Sequence, residues 1–238
     1  FLSFPLIQST TKRLIIEKKR EVENMNLALS ILMIVLTGYI IGSLHGSFLA
    51  QWLSGVKVKE QGVKNSGASN ATIVLGWKFG ILVALFDIGK GFIAVLLLRF
   101  ILHSNSFFEH SPTLLLLMGT AVVLGHNYPL WMKFDGGKGT ASLIGIMFAI
   151  DWKMGFIGLS LLILITLITD YLPIGVLFLY LTFLVYAFWF TVEFWPTFIS
   201  FALFTLAIWK HRENILRIRI GTEPKVSTVM KKKKAISS

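Results

Sequence analysis

The sequence predicts an all-α integral membrane protein with about seven transmembrane helices, and three observations support that fold class. The 238 residues are 55% hydrophobic with a mean hydropathy of +0.72, whereas soluble domains are about 45–50% apolar. Long apolar runs recur along the chain, and a helix needs about 20 such residues to cross a bilayer. The alternating pattern of a membrane β-barrel does not appear, and open sheet edges cannot face lipid.

Seven apolar segments are the predicted spans. They cover residues 27–53, 79–102, 112–131, 140–150, 154–169, 172–190 and 193–209. The first three are long enough to cross a bilayer, and the fourth and fifth are short enough to be half-spans or strongly buried helices. The polar boundary at Asp151 separates those two, and Asp170 ends the fifth.

The distribution of Lys and Arg predicts the orientation, because short cytoplasmic loops are rich in these residues. The loops 54–78 and 132–139 are basic, and the region after residue 209 holds nine Lys or Arg residues. Seven crossings place these three regions on the cytoplasmic side, with the N-terminus outside and the C-terminus cytoplasmic.

We expect three divisions of the chain. Residues 1–24 are charged and precede Met25, so we predict that they are an upstream or non-native extension. Residues 25–227 form the membrane domain, and residues 228–238 form a basic cytoplasmic tail. The net charge is +11, and the basic residues flank apolar spans. This arrangement fits binding of anionic headgroups and phosphorylated substrates better than binding of nucleic acid.

Metal and thiol chemistry find no support in the sequence. The chain has no cysteine, so it has neither a disulfide framework nor a thiolate site. Its five histidines are scattered, without the spacing of a zinc motif. We therefore expect no metal and no cofactor.

The strongest local signal is the segment 125–140, which reads GHNYPLWMKFDGGKGT. Glycines allow successive backbone N–H groups to converge on an anion, Lys138 adds a charge, and the loop enters a helix N-terminus. This pattern predicts a phosphate site, although it is not a Walker A loop. The alternative is a tight turn between two membrane helices.

Two further polar segments are candidates for the same site. Asp87 and Lys90 lie three residues apart on one predicted helix, either lining a polar cavity or pairing near the membrane interface. His211 and Asn214 follow the last span directly and share a helix face, unless they merely end that span. The amide-rich loop 61–70 fits either a substrate contact or a simple connector.

Taken together, these segments resemble the bacterial acyl-phosphate:glycerol-3-phosphate acyltransferase family, PlsY, over about residues 27–227. The resemblance rests on residues 125–142, 211–225 and 87–97 and on the order of the loops. It implies a seven-helix plasma-membrane enzyme with a cytoplasmic site. The implied reaction moves a fatty acyl group from acyl phosphate to the sn-1 hydroxyl of glycerol 3-phosphate, giving lysophosphatidic acid. A partner enzyme that produces acyl phosphate is implied as well.

The resemblance also assigns roles by motif position. The implied catalytic residues are Lys138, His126, His211 and Asn214. The implied phosphate-binding residues include Gly136, Gly137 and Gly139. We also expect substrate contacts from Ser142, Asn65, Asn70, Lys64 and Lys90. Asp87 and Glu223 are expected to have structural roles. Lys138 would stabilise charge on the departing phosphate, and the general base would be a substrate phosphate oxygen or His126.

The first motif departs from the family pattern. Val63 stands where the family has a functional Ser, and Ile73 where it has a phosphate-binding Arg, whereas Asn65 and Asn70 match. The rigid fork of an arginine is hard to replace at a phosphate site, although Lys64 adds a new charge nearby. A paralogue with impaired catalysis or an altered acceptor therefore stays open. A small-solute transporter is less favoured, since no pair of broken-helix repeats is visible.

Overall fold

The computed structural model describes residues 4–103 and 111–229, and within these ranges the chain is helical, with no strand. The helices are α1 (Phe4–Ser43), α2 (Gly46–Ser54), α3 (Ala68–Leu75), α4 (Trp77–His103), α5 (Ser111–Asn127), α6 (Thr140–Ile150), α7 (Trp152–Thr169), α8 (Leu172–Phe190), α9 (Phe194–Lys210) and α10 (Arg212–Arg219). Short 3-10 helices cover Val58–Glu60 and Leu130–Met132. The predicted all-α class is confirmed.

Five helical stretches of the described residues are long and apolar enough to cross a membrane. They are Met25–Ser54, Trp77–His103, Pro112–Met132, Trp152–Thr169 and Leu172–Phe190. The apolar helices α6 and α9 are shorter. The expectation of a half-length fifth segment is wrong, because α7 begins at Trp152 and has 18 residues. Asp151 caps its first turn by accepting hydrogen bonds from the N–H groups of Lys153 and Met154.

Two predicted boundaries differ from the structure. The segment predicted as a single span over 27–53 is interrupted at Leu44 and His45, where α1 ends and α2 begins. The region 54–78, predicted as a loop, contains α3. This helix forms because Ala71 and Val58 pack against Val83 of α4 in a small apolar cluster of their own.

Close helix packing brings the polar loops together. Glycine lets α1 and α5 approach, since a Cβ at Gly42 would collide with the Val122 carbonyl. Glycine also lets α4 and α6 approach, since a Cβ at Gly91 would collide with the Ser142 carbonyl. Small residues serve this purpose in membrane helices, where apolar burial against lipid supplies little drive for association.

The bundle has two polar ends. The glycine–lysine end holds the turn 128–139, the first loop and the segment after α9, which are joined by contacts such as the ion pair of Lys59 with Asp135 (2.8 Å). The Asp151 end holds the α6–α7 and α8–α9 turns. There Arg99 Nη1 donates to the carbonyl of Ile150 (3.2 Å), and Tyr186 Oη donates to Asp151 (3.2 Å).

The divisions of the chain remain predictions. Helix α1 starts at Phe4 and runs without a break through Met25, so no structural boundary marks the proposed extension. Most of the predicted tail, residues 230–238, lies outside the described residues, as does most of the loop 103–111.

Candidate functional site

We call residues 128–139 the glycine–lysine turn. This turn contacts the segment after α9 through Lys138 and Asn214. The Lys138 ammonium donates to Asn214 Oδ1, although the two residues are 76 positions apart. Asn214 Nδ2 then donates to Glu223 Oε1 (2.6 Å), and Arg217 Nε donates to Glu223 Oε2 (2.7 Å). Glu223 therefore holds Asn214 and Arg217 together. Lys138 is thus linked through Asn214 to Glu223 and Arg217.

The surroundings of Lys138 lower the pKa of its amino group. Burial, followed by the nearby Arg217, lowers the pKa of Lys138 to about 8, and Glu223 and Glu213 oppose that change. Tyr180 lies in α8, and its Oη donates to the Lys138 carbonyl (3.1 Å). This hydrogen bond holds the backbone of the turn against α8. The amino group is thus charged at neutral pH and loses its charge in mildly alkaline solution.

His211 is neutral at physiological pH. Burial, followed by Lys138, lowers the pKa of His211 to about 4. Its Nδ1 lies 2.8 Å from the Ala207 carbonyl. A carbonyl only accepts hydrogen bonds, so Nδ1 carries the proton and Nε2 has a free lone pair. His211 therefore offers an acceptor beside Lys138.

The glycines of the turn act differently from the expected phosphate cradle. The N–H of Gly136 donates to the Asn127 carbonyl (3.1 Å), and that of Gly137 donates to the His126 carbonyl (3.0 Å). Both N–H groups are thus used within the chain and pin the turn onto the end of α5. A Cβ at Gly137 would collide with the His126 ring. These two glycines are required for close packing.

Lys138 and the start of α6 are the features of the turn that remain available to attract an anion. Gly139 precedes that helix in the left-handed region (φ 78°), a conformation that favours glycine. The first-turn N–H groups of α6 have no intrahelical partner, and a helix N-terminus attracts anions. Ser142 lies in this first turn, and its buried Oγ has no hydrogen-bond partner among the described residues.

The break in the first span is held by Asp87 and Lys90. The Lys90 ammonium lies 2.9 Å from Asp87 Oδ1 and donates to the carbonyls of Gly42 (2.8 Å) and Leu44 (2.5 Å), which the break leaves without helical partners. Asp87 Oδ1 accepts from the N–H of Gly46 at the start of α2 (3.2 Å). The side chains of Asp87 and Lys90 are 1% and 4% exposed, so the pair is buried within the helices and does not extend to solvent.

Lys90 also determines the protonation of His126. Its Nζ lies 2.8 Å from His126 Nδ1. An ammonium group only donates, so Nδ1 accepts and the neutral ring carries its proton on Nε2, toward Gly137. With this contact formed, His126 presents a hydrogen-bond donor on that side. Lys90 has four acceptors around three protons, which makes it a brace in this structure, and its predicted contact with substrate stays a prediction.

The first loop is organised by Asn70. Its amide donates to the carbonyls of Val58 (2.8 Å), Gln61 (3.0 Å) and Asn65 (2.7 Å), and its Oδ1 accepts from the N–H of Val63 (2.9 Å). Asn70 is buried and holds the loop backbone, so its predicted substrate contact stays untested. Asn65 Oδ1 accepts from the N–H of Gly67 (3.1 Å).

Lys64 lies in the first loop, near the contact of Lys59 with Asp135. It borders an open cleft of about 480 Å³ with Lys59, Glu60 and Asp135, and its φ of 54° is left-handed. Val63 and Ile73, where the resemblance leads us to expect Ser and Arg, are 45% and 43% exposed. Both positions therefore have room for a longer polar side chain.

Several site residues were not predicted from the sequence. Arg217 follows Asn214 by three residues on α10, and helical spacing could have identified it. Lys59 and Tyr180 give no local signal, because their partners are distant in the chain. His45 stacks on His126 with ring centroids 4.4 Å apart, a contact that depends on the break in the first span. Within the described ranges, no group of three or more His, Cys, Asp or Glu residues could hold a metal ion.

Comparison with known proteins assigns the family. The model of the glycerol-3-phosphate acyltransferase family matches residues 32–221. Glycerol-3-phosphate acyltransferase 1 of Oceanobacillus iheyensis is 47% identical over 199 residues, which is 83% of this chain and 96% of that protein. The glycerol-3-phosphate acyltransferase of Thermotoga petrophila is 37% identical over 193 residues, covering 80% of this chain and 93% of that one.

Comparison with solved structures supports the same family. The crystal structure of PlsY (YgiH), an integral membrane glycerol 3-phosphate acyltransferase, in its glycerol 3-phosphate form is 30% identical, with a TM-score of 0.74, and covers 84% of this chain and 98% of that one. The lysophosphatidic acid form gives a TM-score of 0.71 and covers 82% and 95%. The matches span the glycine–lysine turn, the broken first span and α10, and the chain accordingly belongs to the glycerol-3-phosphate acyltransferase family of integral membrane proteins.

Proposed function

We propose that the protein transfers a fatty acyl group from acyl phosphate to glycerol 3-phosphate, producing lysophosphatidic acid for membrane phospholipid synthesis. Membership of the family supports the acceptor and the class of reaction. The observation that carries the proposal is the meeting of Lys138 with Asn214, Glu223 and Arg217 beside the start of α6. A cation beside a helix N-terminus attracts anions, which supports binding of a phosphoryl group at this end.

The reaction needs no covalent enzyme intermediate, because a phosphate is already a good leaving group. The sn-1 oxygen of glycerol 3-phosphate forms a bond with the acyl carbon while the bond from that carbon to the phosphate oxygen breaks. The electron pair of the broken bond leaves with the phosphate, which also receives the hydroxyl proton. Lys138 and the first-turn N–H groups of α6 stabilise the departing charge, and alignment of the two substrates supplies much of the acceleration.

The two histidines take different roles in this mechanism. The free lone pair on His211 Nε2 can accept a hydrogen bond from a glycerol hydroxyl, and Asn214 beside it contributes an amide. His126 presents a proton on Nε2 and donates to substrate or to the turn. Of the two bases considered from the sequence, the substrate phosphate is favoured, since His126 Nδ1 is occupied by Lys90.

The same proposal includes the orientation of the protein. Counting α6 and α9 as crossings gives seven, with residues 25–227 as the membrane domain, the N-terminus outside and the C-terminus in the cytoplasm of a bacterial cell. The glycine–lysine end then faces the cytoplasm, where water solvates the phosphate groups of both substrates. Contacts of Lys59 with Asp135 and of Lys138 with Asn214 support a single site at that end.

A second candidate is a family member with weakened catalysis or an altered acceptor, and the first motif favours it. Val63 cannot hydrogen-bond through its side chain, and Ile73 brings no charge to a phosphate. Lys64 is the cation nearest to Val63 in that loop, and it borders the open cleft with Lys59.

A product assay tests the main proposal. Purified protein receives acyl phosphate and labelled glycerol 3-phosphate, with acyl-coenzyme A as an alternative donor and glycerol as an alternative acceptor. We expect labelled lysophosphatidic acid from acyl phosphate alone, in a time-dependent and protein-dependent manner. Product from another donor would revise the substrate, and absence of product with every pair would favour the weakened family member.

A further inference from the structure

The chain turns back after α10 and forms a strap over the glycine–lysine end. We call residues 221–229 the terminal strap. Its near half is fastened to the last turn of α10, since the N–H groups of Thr222 (2.8 Å) and Glu223 (3.2 Å) both donate to the Arg217 carbonyl. Gly221 allows the reversal with a φ of 73°.

The far half of the strap is fastened to Asp170, in the turn between α7 and α8. The Val226 N–H donates to the Asp170 carbonyl (3.0 Å). The Ser227 N–H donates to Asp170 Oδ1 (2.8 Å), and Ser227 Oγ donates to Oδ2 (2.6 Å). A single aspartate thus holds the strap with both carboxylate oxygens and its own carbonyl.

Glu223 lies between these two points of attachment, and its carboxylate contacts both Asn214 and Arg217. Since Asn214 accepts from Lys138, the strap connects the α7–α8 turn to the lysine of the candidate site. We propose that Asp170 is a positioning residue, which holds the terminal strap so that Glu223 keeps Asn214 and Lys138 in place for acyl transfer. This inference rests on the proposed function and deepens it.

The proposal has an electrostatic consequence that ordinary destabilisation lacks. The charged and titratable groups facing Lys138 are Glu223, Glu213, Arg217, Lys210 and His211. Of these, Glu223 belongs to the strap, and its negative charge favours the protonated lysine. If the strap detaches, the pKa of Lys138 falls below about 8, because the neighbouring cations remain on α9 and α10.

The test replaces Asp170 with glycine. Asp170 has a φ of 64°, and glycine adopts that conformation without strain, so Asp170→Gly removes the carboxylate contacts with Ser227 without straining the backbone. Loss of two hydrogen bonds should lower kcat/KM for glycerol 3-phosphate about three- to tenfold. The alkaline limb of the pH profile should move down by about half a pH unit or more. Ser227→Ala removes one of the two hydrogen bonds. It should change kcat/KM and the alkaline limb in the same direction but by less.

Two controls separate positioning from folding. Asp170→Asn keeps an amide oxygen for the Ser227 N–H and tolerates the left-handed backbone, so its kinetics and pH profile should stay within about twofold of the wild type. Asp151→Gly removes an equivalent aspartate at the other end of α7, which accepts from Lys153 N (2.7 Å) and Tyr186 Oη (3.2 Å). It should lower the melting temperature without moving the alkaline limb.

The outcomes are distinguishable. Wild-type kinetics in Asp170→Gly would overturn the positioning role, and so would a loss of activity with the alkaline limb unmoved, as in Asp151→Gly. If the wild-type protein itself forms no lysophosphatidic acid, the proposed function fails. In that case, binding of radiolabelled glycerol 3-phosphate still tests the strap, because affinity should fall several-fold in Asp170→Gly and recover in Asp170→Asn.

Discussion

The two ends of the helix bundle use polar residues in different ways. At the Asp151 end, side chains satisfy the last groups of nearby helices, as when Arg99 donates to the carbonyls of Ala149 and Ile150 (3.2 Å each). At the glycine–lysine end, side chains join segments that are far apart in sequence and bring ionisable groups into buried surroundings. Helix termination needs only the first arrangement. The second costs desolvation energy, which indicates a function at that end.

Among substitutions that leave the charged side chains in place, replacing Gly137 should produce the largest loss of activity. Gly137→Leu places a side chain against the His126 ring and displaces the turn that carries Lys138, and misplacement by about 1 Å can cost about 10²-fold in rate. The matched control is Gly89→Leu, since a Cβ at Gly89 meets open space, and it should keep activity within about twofold. Equal rates in the two variants of purified protein would contradict the packing role of the turn.

Breaking the buried pair at the first span should chiefly affect stability. Lys90→Met leaves Asp87 buried without a counter-charge and frees the carbonyls of Gly42 and Leu44, with a cost of about 3–5 kcal/mol. The double variant Lys90→Met with Asp87→Asn should be more stable than Lys90→Met alone, because no buried charge remains. Thermal unfolding in detergent measures both, and additive losses would contradict the coupling.

The pH dependence should follow Lys138. Its pKa of about 8 lies below the usual lysine value, so the ammonium is present below that pH and is lost as the pH rises through it. We expect kcat/KM for glycerol 3-phosphate to fall up to about tenfold per pH unit above that point. Lys138→Arg keeps its charge and should remove this limb, whatever its absolute rate. A limb that persists in Lys138→Arg belongs to another group.

Introducing the Ser and Arg that the resemblance leads us to expect in the first loop should give the smallest change, and in the opposite direction. Val63→Ser with Ile73→Arg adds a hydroxyl and a bidentate cation at two partly exposed positions. We expect kcat/KM to rise about fivefold, which corresponds to about 1 kcal/mol. Each single replacement and a Lys64→Ala variant separate the contributions. Unchanged rates in the double variant would show that this chain does not use these positions.

The contrast between the ends also explains what the sequence could predict. Apolar runs gave the spans with boundaries close to those of α5, α8 and α9, because lipid imposes a length and a composition on each crossing. The GGKG turn and the HREN segment were found because their chemistry is local. Their junction through Asn214 and Glu223 was implied only by resemblance.

Features that depend on distant partners were missed. The break at Leu44 and His45 occurs within an apolar run, and it is stabilised by Lys90, which lies 48 residues after Gly42. Likewise, nothing near Asp170 in the sequence indicates its contact with Ser227, 57 residues later. Such contacts need the packed bundle, since loop closure over these distances leaves no local pattern.

The most direct test compares a lysine from each end of the bundle in the product assay. Lys138 lies in the network with Asn214, whereas Lys153 lies over the ring of Trp152 (5.7 Å to the centroid) at the Asp151 end. We expect Lys138→Ala to lower formation of lysophosphatidic acid about 10²- to 10³-fold, while Lys153→Ala keeps nearly full activity. Near-normal activity in Lys138→Ala would contradict the placement of the reaction at the glycine–lysine end.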